Sequence, residues 1–147
     1  MSSTTLLYLS RKHVAQCLTL SETITAVETA LHQLGTGAAQ QSSKITLTPP
    51  PPHTGSIKAM SAYLPAPAAI VATKNYAFYP NNRQYGLPSV PALIVLMDPV
   101  TGQPLAVMDG TLITAWRTAA TSSVAAKYLA NPDSNTVGII GTGVQGE

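Results

Sequence analysis

Thr136-Val137-Gly138-Ile139-Ile140-Gly141-Thr142-Gly143-Val144-Gln145-Gly146 decides how this chain is read. A short apolar run leads straight into Gly-x-Gly-x-x-Gly. That is the order strand, glycine loop, helix which opens a dinucleotide-binding unit. The first glycine permits a tight turn, and the second lets backbone N–H groups approach a pyrophosphate. The third lets the coming helix pack on the strand with its N-terminus toward the phosphates. A plain glycine-rich turn is the competing reading. A nucleotide-binding half also needs a helix, a second strand and a selector residue about 20 positions on. None of these lies between Gly146 and Glu147. The sequence is therefore expected to be the front part of a longer protein, divided inside its cofactor domain.

Upstream of the loop, Asn131-Pro132-Asp133 closes a long helix that runs back to Asp109 or Thr111 as its cap. Pro104–Met108 reads as the returning strand of a hairpin, after the turn Asp98-Pro99-Val100-Thr101-Gly102. Val90–Asp98 is apolar enough to be a strand buried on both faces, and Ala68–Ala77 and Ser56–Leu64 are two more strands. Ile45 and Leu47 alternate with Thr46 and Thr48. Pro49–Pro52 is short enough to be a stiff loop, with a ligand for a proline-reading module as the weaker alternative. Near the start, Leu6–Leu9 fits a short strand and Ser10 caps a short helix. Ser21 is taken as the cap of a second helix, whose Ile24, Val27, Leu31 and Leu34 recur at helical spacing before Gly35 and Gly37 stop it.

With 147 residues, one modest domain is the prior. Charged residues are 10% of the chain, against roughly 25% in an ordinary soluble domain. The eight Lys and Arg are scattered, so neither a nucleic-acid surface nor a basic membrane-binding patch is indicated. No uninterrupted apolar run suits a membrane span, and no signal-peptide pattern opens the chain. A single cysteine, Cys17, excludes an internal disulfide and a cysteine-based metal cluster. The default is a cytoplasmic protein, and so charge-poor a surface points to burial against a partner.

Two cations stand out by their surroundings. Arg117 is the one charge between Gly110 and Ala126, on a helical face with Ile113, Ala120 and Val124. It is expected to be largely buried and to hold a carboxylate or phosphate with its fork of donors, an internal salt bridge being the alternative. Lys74 shares an extended face with Ile70, Ala72 and Tyr76. Taken alone it reads better as a solvated edge lysine than as a ligand-binding one. Lys44 by itself is unremarkable. His13, His32 and His53 have no metal-ligand spacing, Cys17 reads as a small packed residue, and Trp116 as core or interface. No metal site is expected.

Five ordered segments together resemble the ornithine cyclodeaminase and mu-crystallin family. They are Lys74-Asn75-Tyr76-Ala77-Phe78-Tyr79-Pro80, Gly86-Leu87-Pro88-Ser89, Asp98 to Ala106, Met108 to Ala120, and the glycine loop. The resemblance spans residues 5 to 147 and implies an α/β protein. Residues 1–130 would be an α+β substrate-binding and dimerisation domain, and 131–147 the first strand and glycine loop of a Rossmann domain. It also implies a homodimer made through the sheets. On that resemblance Lys74 and Arg117 hold the substrate's α-carboxylate, and Lys44 falls near an arginine of the family. Ser89, Thr118, Gly141, Gly143, Val144 and Gln145 match positions against NAD or NADP.

The chemistry so implied is hydride transfer between a nicotinamide and the α-carbon of an amino or imino acid. Met60-Ser61-Ala62-Tyr63 offers no acid for the distal amine of ornithine. The expectation therefore leans to a reductase of cyclic ketimines such as pyrroline- or piperideine-2-carboxylate. An ornithine cyclodeaminase, or a non-catalytic mu-crystallin-like binder of a small ligand, are the alternatives. The family's acid/base residue would lie downstream of Glu147, so no catalytic residue is expected here and the 147 residues alone are expected to be inactive.

Overall fold

The computed structural model describes residues 5–141 and 143–146; Thr142, inside the glycine loop, and Glu147 lie outside the described residues. The chain begins with β1 (Leu7–Leu9), α1 (Arg11–Cys17) and α2 (Leu20–Gly35). Ser10 caps α1 as expected. The cap of α2 is Thr19 and not Ser21. Its hydroxyl accepts from the Glu22 N–H at 3.2 Å, and the Glu22 carboxylate accepts from the Thr19 N–H at 3.1 Å. This reciprocal Thr-x-x-Glu box satisfies two backbone donors at once, which a cap at Ser21 would leave open.

Seven strands make one mixed sheet. β2 (Gln40–Gln41), β3 (Ile45–Leu47), β4 (Ser56–Leu64), β5 (Ile70–Phe78), β6 (Ala92–Met97) and β7 (Pro104–Asp109) follow the helices. The spatial order is β1-β7-β6-β5-β4-β2, with β3 beside β2 on β4. Only the β1–β7 pair is parallel. The two glutamines of β2, in a polar stretch with no strand pattern, pair with Tyr63 and Ala62, a tertiary contact with no local signal. β4 and β5 pair over their full lengths, from Ser56↔Phe78 to Leu64↔Ile70. Asp98 closes the β6–β7 hairpin, accepting from the Thr101 hydroxyl (2.8 Å) and the N–H groups of Thr101 (2.7 Å) and Val100 (3.0 Å). Those bonds, Thr101 foremost, hold its carboxyl below the usual carboxylate range.

Residue alternation gives the sheet two unlike faces. Met60, Lys74, Ile94, Met108 and Leu9 stand in one cross-strand row on one face. α3 (Thr111–Leu129) packs on α2 and α1 and touches β6, and α1 touches β7. The buried apolar side chains are small: Val14, Ala39, Ala106, Ala115, Ala120 and Val124. On the other face, Tyr8, Ile45, Leu47, Ile57 and Leu93 are all exposed. β6 is consequently half-buried, and not buried on both faces as its apolar run predicts. Cys17 is exposed too, where a packed residue was expected.

After α3 the expected strand over 136–140 does not form. Residues 134–139 adopt no regular element, and Val137 and Ile140 are 84% and 106% exposed. Among the described residues no strand lies alongside to take its backbone groups, and an unpaired strand has nothing to hold it extended.

Candidate functional site

The junction from β7 to α3 is closely built. The Gly110 N–H donates to the Ala92 carbonyl at 2.8 Å, and the Ala92 N–H donates to the Thr111 hydroxyl at 3.2 Å. The Asp109 carboxylate accepts from the Thr111 N–H at 3.0 Å. A Cβ on Gly110 would stand 3.0 Å from Ile94 Cγ1 and 3.1 Å from the Ala92 Cβ. Glycine therefore lets the helix start directly on the sheet. The clip fixes the direction of α3 and with it Arg117, about 9 Å along the axis from Thr111.

Lys74 projects from the middle of β5, half-buried, with its Nζ 4.9 Å from the Tyr76 ring centroid. Its pKa is pushed down to about 8, first by burial and then by the charges of Arg117 and Lys44. Lys74 therefore lies within the electrostatic influence of Arg117 and Lys44, the other two cations that the resemblance places at the substrate. Arg117 is exposed and not buried as its helical neighbours suggested, although Ala120 and Val124 are buried; a long arginine stem can lie along an apolar face and keep its charged head in water. Lys44 is exposed as well. The ion pair of the described residues, Lys127 to Glu28 at 2.8 Å, joins α3 to α2 and involves none of the three. None of the three takes part in that ion pair, so their charges set a positive potential around Lys74.

A cleft of about 620 Å³ lies between the 87–90 segment, the start of α3 and the glycine loop. Ser89, Gly141, Gly143, Val144 and Gln145 all line it. Ser89 is placed by a 3₁₀ turn over Pro80–Tyr85 and by Gly86, whose φ is +70°. Its carbonyl accepts from the Tyr79 N–H at 2.9 Å, and the Asn82 side chain donates to the Pro88 carbonyl at 2.9 Å. Thr118 is not among the lining residues; its hydroxyl donates to the Thr114 carbonyl at 2.7 Å. Sequence reasoning passed over Arg83, Thr111 and Thr114, which also line the cleft. Thr114 is 6% exposed, and its hydroxyl has no partner among the described residues. Only the fold turns these toward the cleft, so no local pattern announces them.

The loop itself suits a dinucleotide. Gly141 has φ +94°, and a Cβ on Gly146 would meet the Gly141 carbonyl at 2.8 Å. Gly143 has open space where its Cβ would be, so its backbone stands bare to the cleft. Among the described residues no group of three His, Cys, Asp or Glu side chains converges. None of the described helices is long and apolar enough to cross a membrane.

The sequence profile of the ornithine cyclodeaminase/mu-crystallin family matches residues 5–147. A solved Δ1-pyrroline-2-carboxylate reductase of Thermococcus litoralis, in complex with NADH and L-proline, is 45% identical with a TM-score of 0.87. The match covers 95% of this chain and 43% of that one. A solved archaeal alanine dehydrogenase dimer with bound NAD is 38% identical with a TM-score of 0.88, over 95% of this chain and 42% of that one. The ketimine reductase mu-crystallin of Rattus norvegicus is 44% identical over 100 residues, 68% of this chain and 32% of its own length. The chain spans about two-fifths of the length of the curated relatives that match 95% of it (43% and 41%).

Proposed function

Because the chain belongs to the ornithine cyclodeaminase/mu-crystallin family, we propose that it is the substrate-binding part of an NAD(P)-dependent oxidoreductase that reduces a cyclic ketimine carboxylate. The observation that carries this reading is the half-buried Lys74 of β5, under the influence of Arg117 and Lys44 and outside the ion pair of the described residues. The first two grip the α-carboxylate, Arg117 through its planar fork and Lys74 as a point charge. Lys44, on its exposed strand end, supplies field more than contact. The bound carboxylate returns Lys74 toward its ordinary pKa, since a nearby anion favours the ammonium. Fixing the carboxylate fixes the α-carbon, and orientation of this kind accounts for much of the rate in two-reactant chemistry.

NAD or NADP would be held by Gly141, Gly143, Val144 and Gln145 at the pyrophosphate and by Ser89 and Thr118 nearer the ring; when bound it supplies the hydride. The unpartnered Thr114 hydroxyl and the close passage of Gly146 fit that occupant. On this reading residues 1–130 form the substrate-binding and dimerising unit and 131–147 begin the nucleotide-binding one. The exposed face with Ile57 and Leu93 is the homodimer surface, and the single cysteine suits a reducing, cytoplasmic setting. An ornithine cyclodeaminase is the less favoured reading. Met60, in the row beside Lys74, offers no charge to a distal amine.

The test is NAD(P)H oxidation with Δ1-pyrroline-2-carboxylate by a fusion of this chain to the remaining nucleotide-binding elements of the Thermococcus enzyme. We expect turnover by the fusion, none by residues 1–147 alone, and loss in Lys74→Met or Arg117→Gln. A fusion that folds, binds NADH and turns over ornithine but no ketimine would overturn the reductase reading.

A further inference from the structure

Arg83 lines the cleft beside the glycine loop and has no role in the reading so far. Of the described residues that line this cleft, Arg83 alone carries a charge. Its side chain is exposed, and the ion pair of the described residues, Lys127 to Glu28, leaves it out. Backbone N–H groups bring only partial charges to a bound anion, whereas a guanidinium brings a whole one.

The backbone that carries Arg83 is firmly placed. Its 3₁₀ turn opens on Pro80, whose ring fixes φ. The Arg83 carbonyl accepts from the Gly86 N–H at 3.1 Å, and the Asn82 carbonyl accepts from the Leu87 N–H at 3.0 Å. With the Asn82 side chain on the Pro88 carbonyl and the Tyr79 N–H on the Ser89 carbonyl, Arg83 and Ser89 ride on one cross-tied segment at the end of β5. A cation on a fixed backbone loses less freedom when it grips an anion. This segment supplies one wall of the cleft, and the glycine loop, with the bare backbone of Gly143, supplies another.

We propose that Arg83 is a cofactor-positioning residue, which grips the diphosphate of the dinucleotide from the substrate-binding unit while the glycine loop holds it from the nucleotide-binding one. The proposal rests on the dinucleotide reading of the cleft and adds to it a residue that lies far from the glycine motif in sequence. The planar fork of Arg83 suits two phosphoryl oxygens at once. The consequence is a bridge: one bound anion is held by both units, so the cofactor fastens them to each other.

The experiment measures equilibrium binding, without turnover, to the fusion with the Thermococcus nucleotide-binding elements. The probes are NADH, NADPH, ADP-ribose and L-alanine. Arg83→Gln should weaken NADH, NADPH and ADP-ribose alike by about tenfold, as loss of a charge-assisted pair requires. Arg83→Lys should recover part of that loss, because it keeps the charge without the fork. L-alanine binding and the melting temperature should stay unchanged in both variants, since Arg83 is exposed and stands apart from the carboxylate seat. Unchanged NADH affinity in Arg83→Gln overturns the role of Arg83 and leaves the dinucleotide reading intact. A loss confined to NADPH moves Arg83 to the 2′-phosphate, and a loss of NADH without loss of ADP-ribose moves it to the nicotinamide end; either overturns the diphosphate assignment. A loss of L-alanine binding overturns it as well, by placing Arg83 in the substrate seat. A folded fusion that binds no dinucleotide overturns both readings.

Discussion

Lys74 gives the sharpest test of the anion seat, because its charge depends on its neighbours. With a pKa near 8, the ammonium is about nine-tenths charged at pH 7 and only a few per cent charged at pH 9.5. Carboxylate binding that needs the charged form should weaken about 30-fold over that interval, whereas an ordinary lysine would lose almost nothing. Arg117 is the larger of the two charges that depress it, after burial. Arg117→Gln should therefore move the midpoint upward, and Lys44→Gln should move it upward by less. The assay is a pH titration of the Lys74 side chain by NMR on selectively labelled protein, run with and without L-alanine. Bound ligand should raise the midpoint. The linkage to stability has a definite sign: the folded pKa lies below the unfolded one, so the unfolded chain holds more protons between about pH 8 and 10.5. From this group alone, the folded state gains stability as pH rises through that window. A midpoint above 10 in the native chain, or one that falls in Arg117→Gln, would refute the electrostatic argument and the seat built on it.

Other changes test the frame. Gly110→Ala places a Cβ 3.0 Å from Ile94 and should destabilise the chain by about 1–3 kcal/mol through overpacking, read as a lower denaturation midpoint. Thr19→Ala removes the reciprocal cap of α2 and should cost about 1 kcal/mol by the same measurement, while Ser21→Ala should cost almost nothing. Leu93→Arg charges the exposed apolar face, where Leu93 is 42% exposed. Sedimentation should show a dimer for the parent and a folded monomer for the variant, and a dimer that persists would place the interface elsewhere.

Much of the frame is legible without coordinates because its signals are local. β4 was bounded correctly at Ser56 and Leu64, and α3 falls between the Asp109–Thr111 clip and Asn131-Pro132. The Asp98–Gly102 turn also follows from short-range chemistry. The misplaced α2 cap shows the limit: Ser21 is by type the slightly better capping residue, yet the choice was made by Glu22 standing three positions after Thr19. Tertiary surroundings decided the segment over 136–140. Its apolar pattern is that of a strand, but a strand is a pairing, and no partner lies beside it among the described residues.

The site divides in the same way. The glycine loop announced itself, since close backbone approach requires residues without a Cβ, and Arg117 stood out as the one charge between Gly110 and Ala126. Sequence by itself thus determined most of the elements from β1 to α3, though neither β2 nor the unformed strand over 136–140, together with the family resemblance and the identity of the three cations. Only the tertiary structure showed that Arg117 and Lys44 act on Lys74, that Lys58 shares Tyr76 with Lys74, and that Thr114 lines the cleft with a hydroxyl unpaired among the described residues. The reason is physical: propensity and capping act over a few residues, whereas the field at Lys74 arises from groups 30 and 43 positions away along the chain. Their distance in space is set by strand register and by the direction in which Gly110 launches α3.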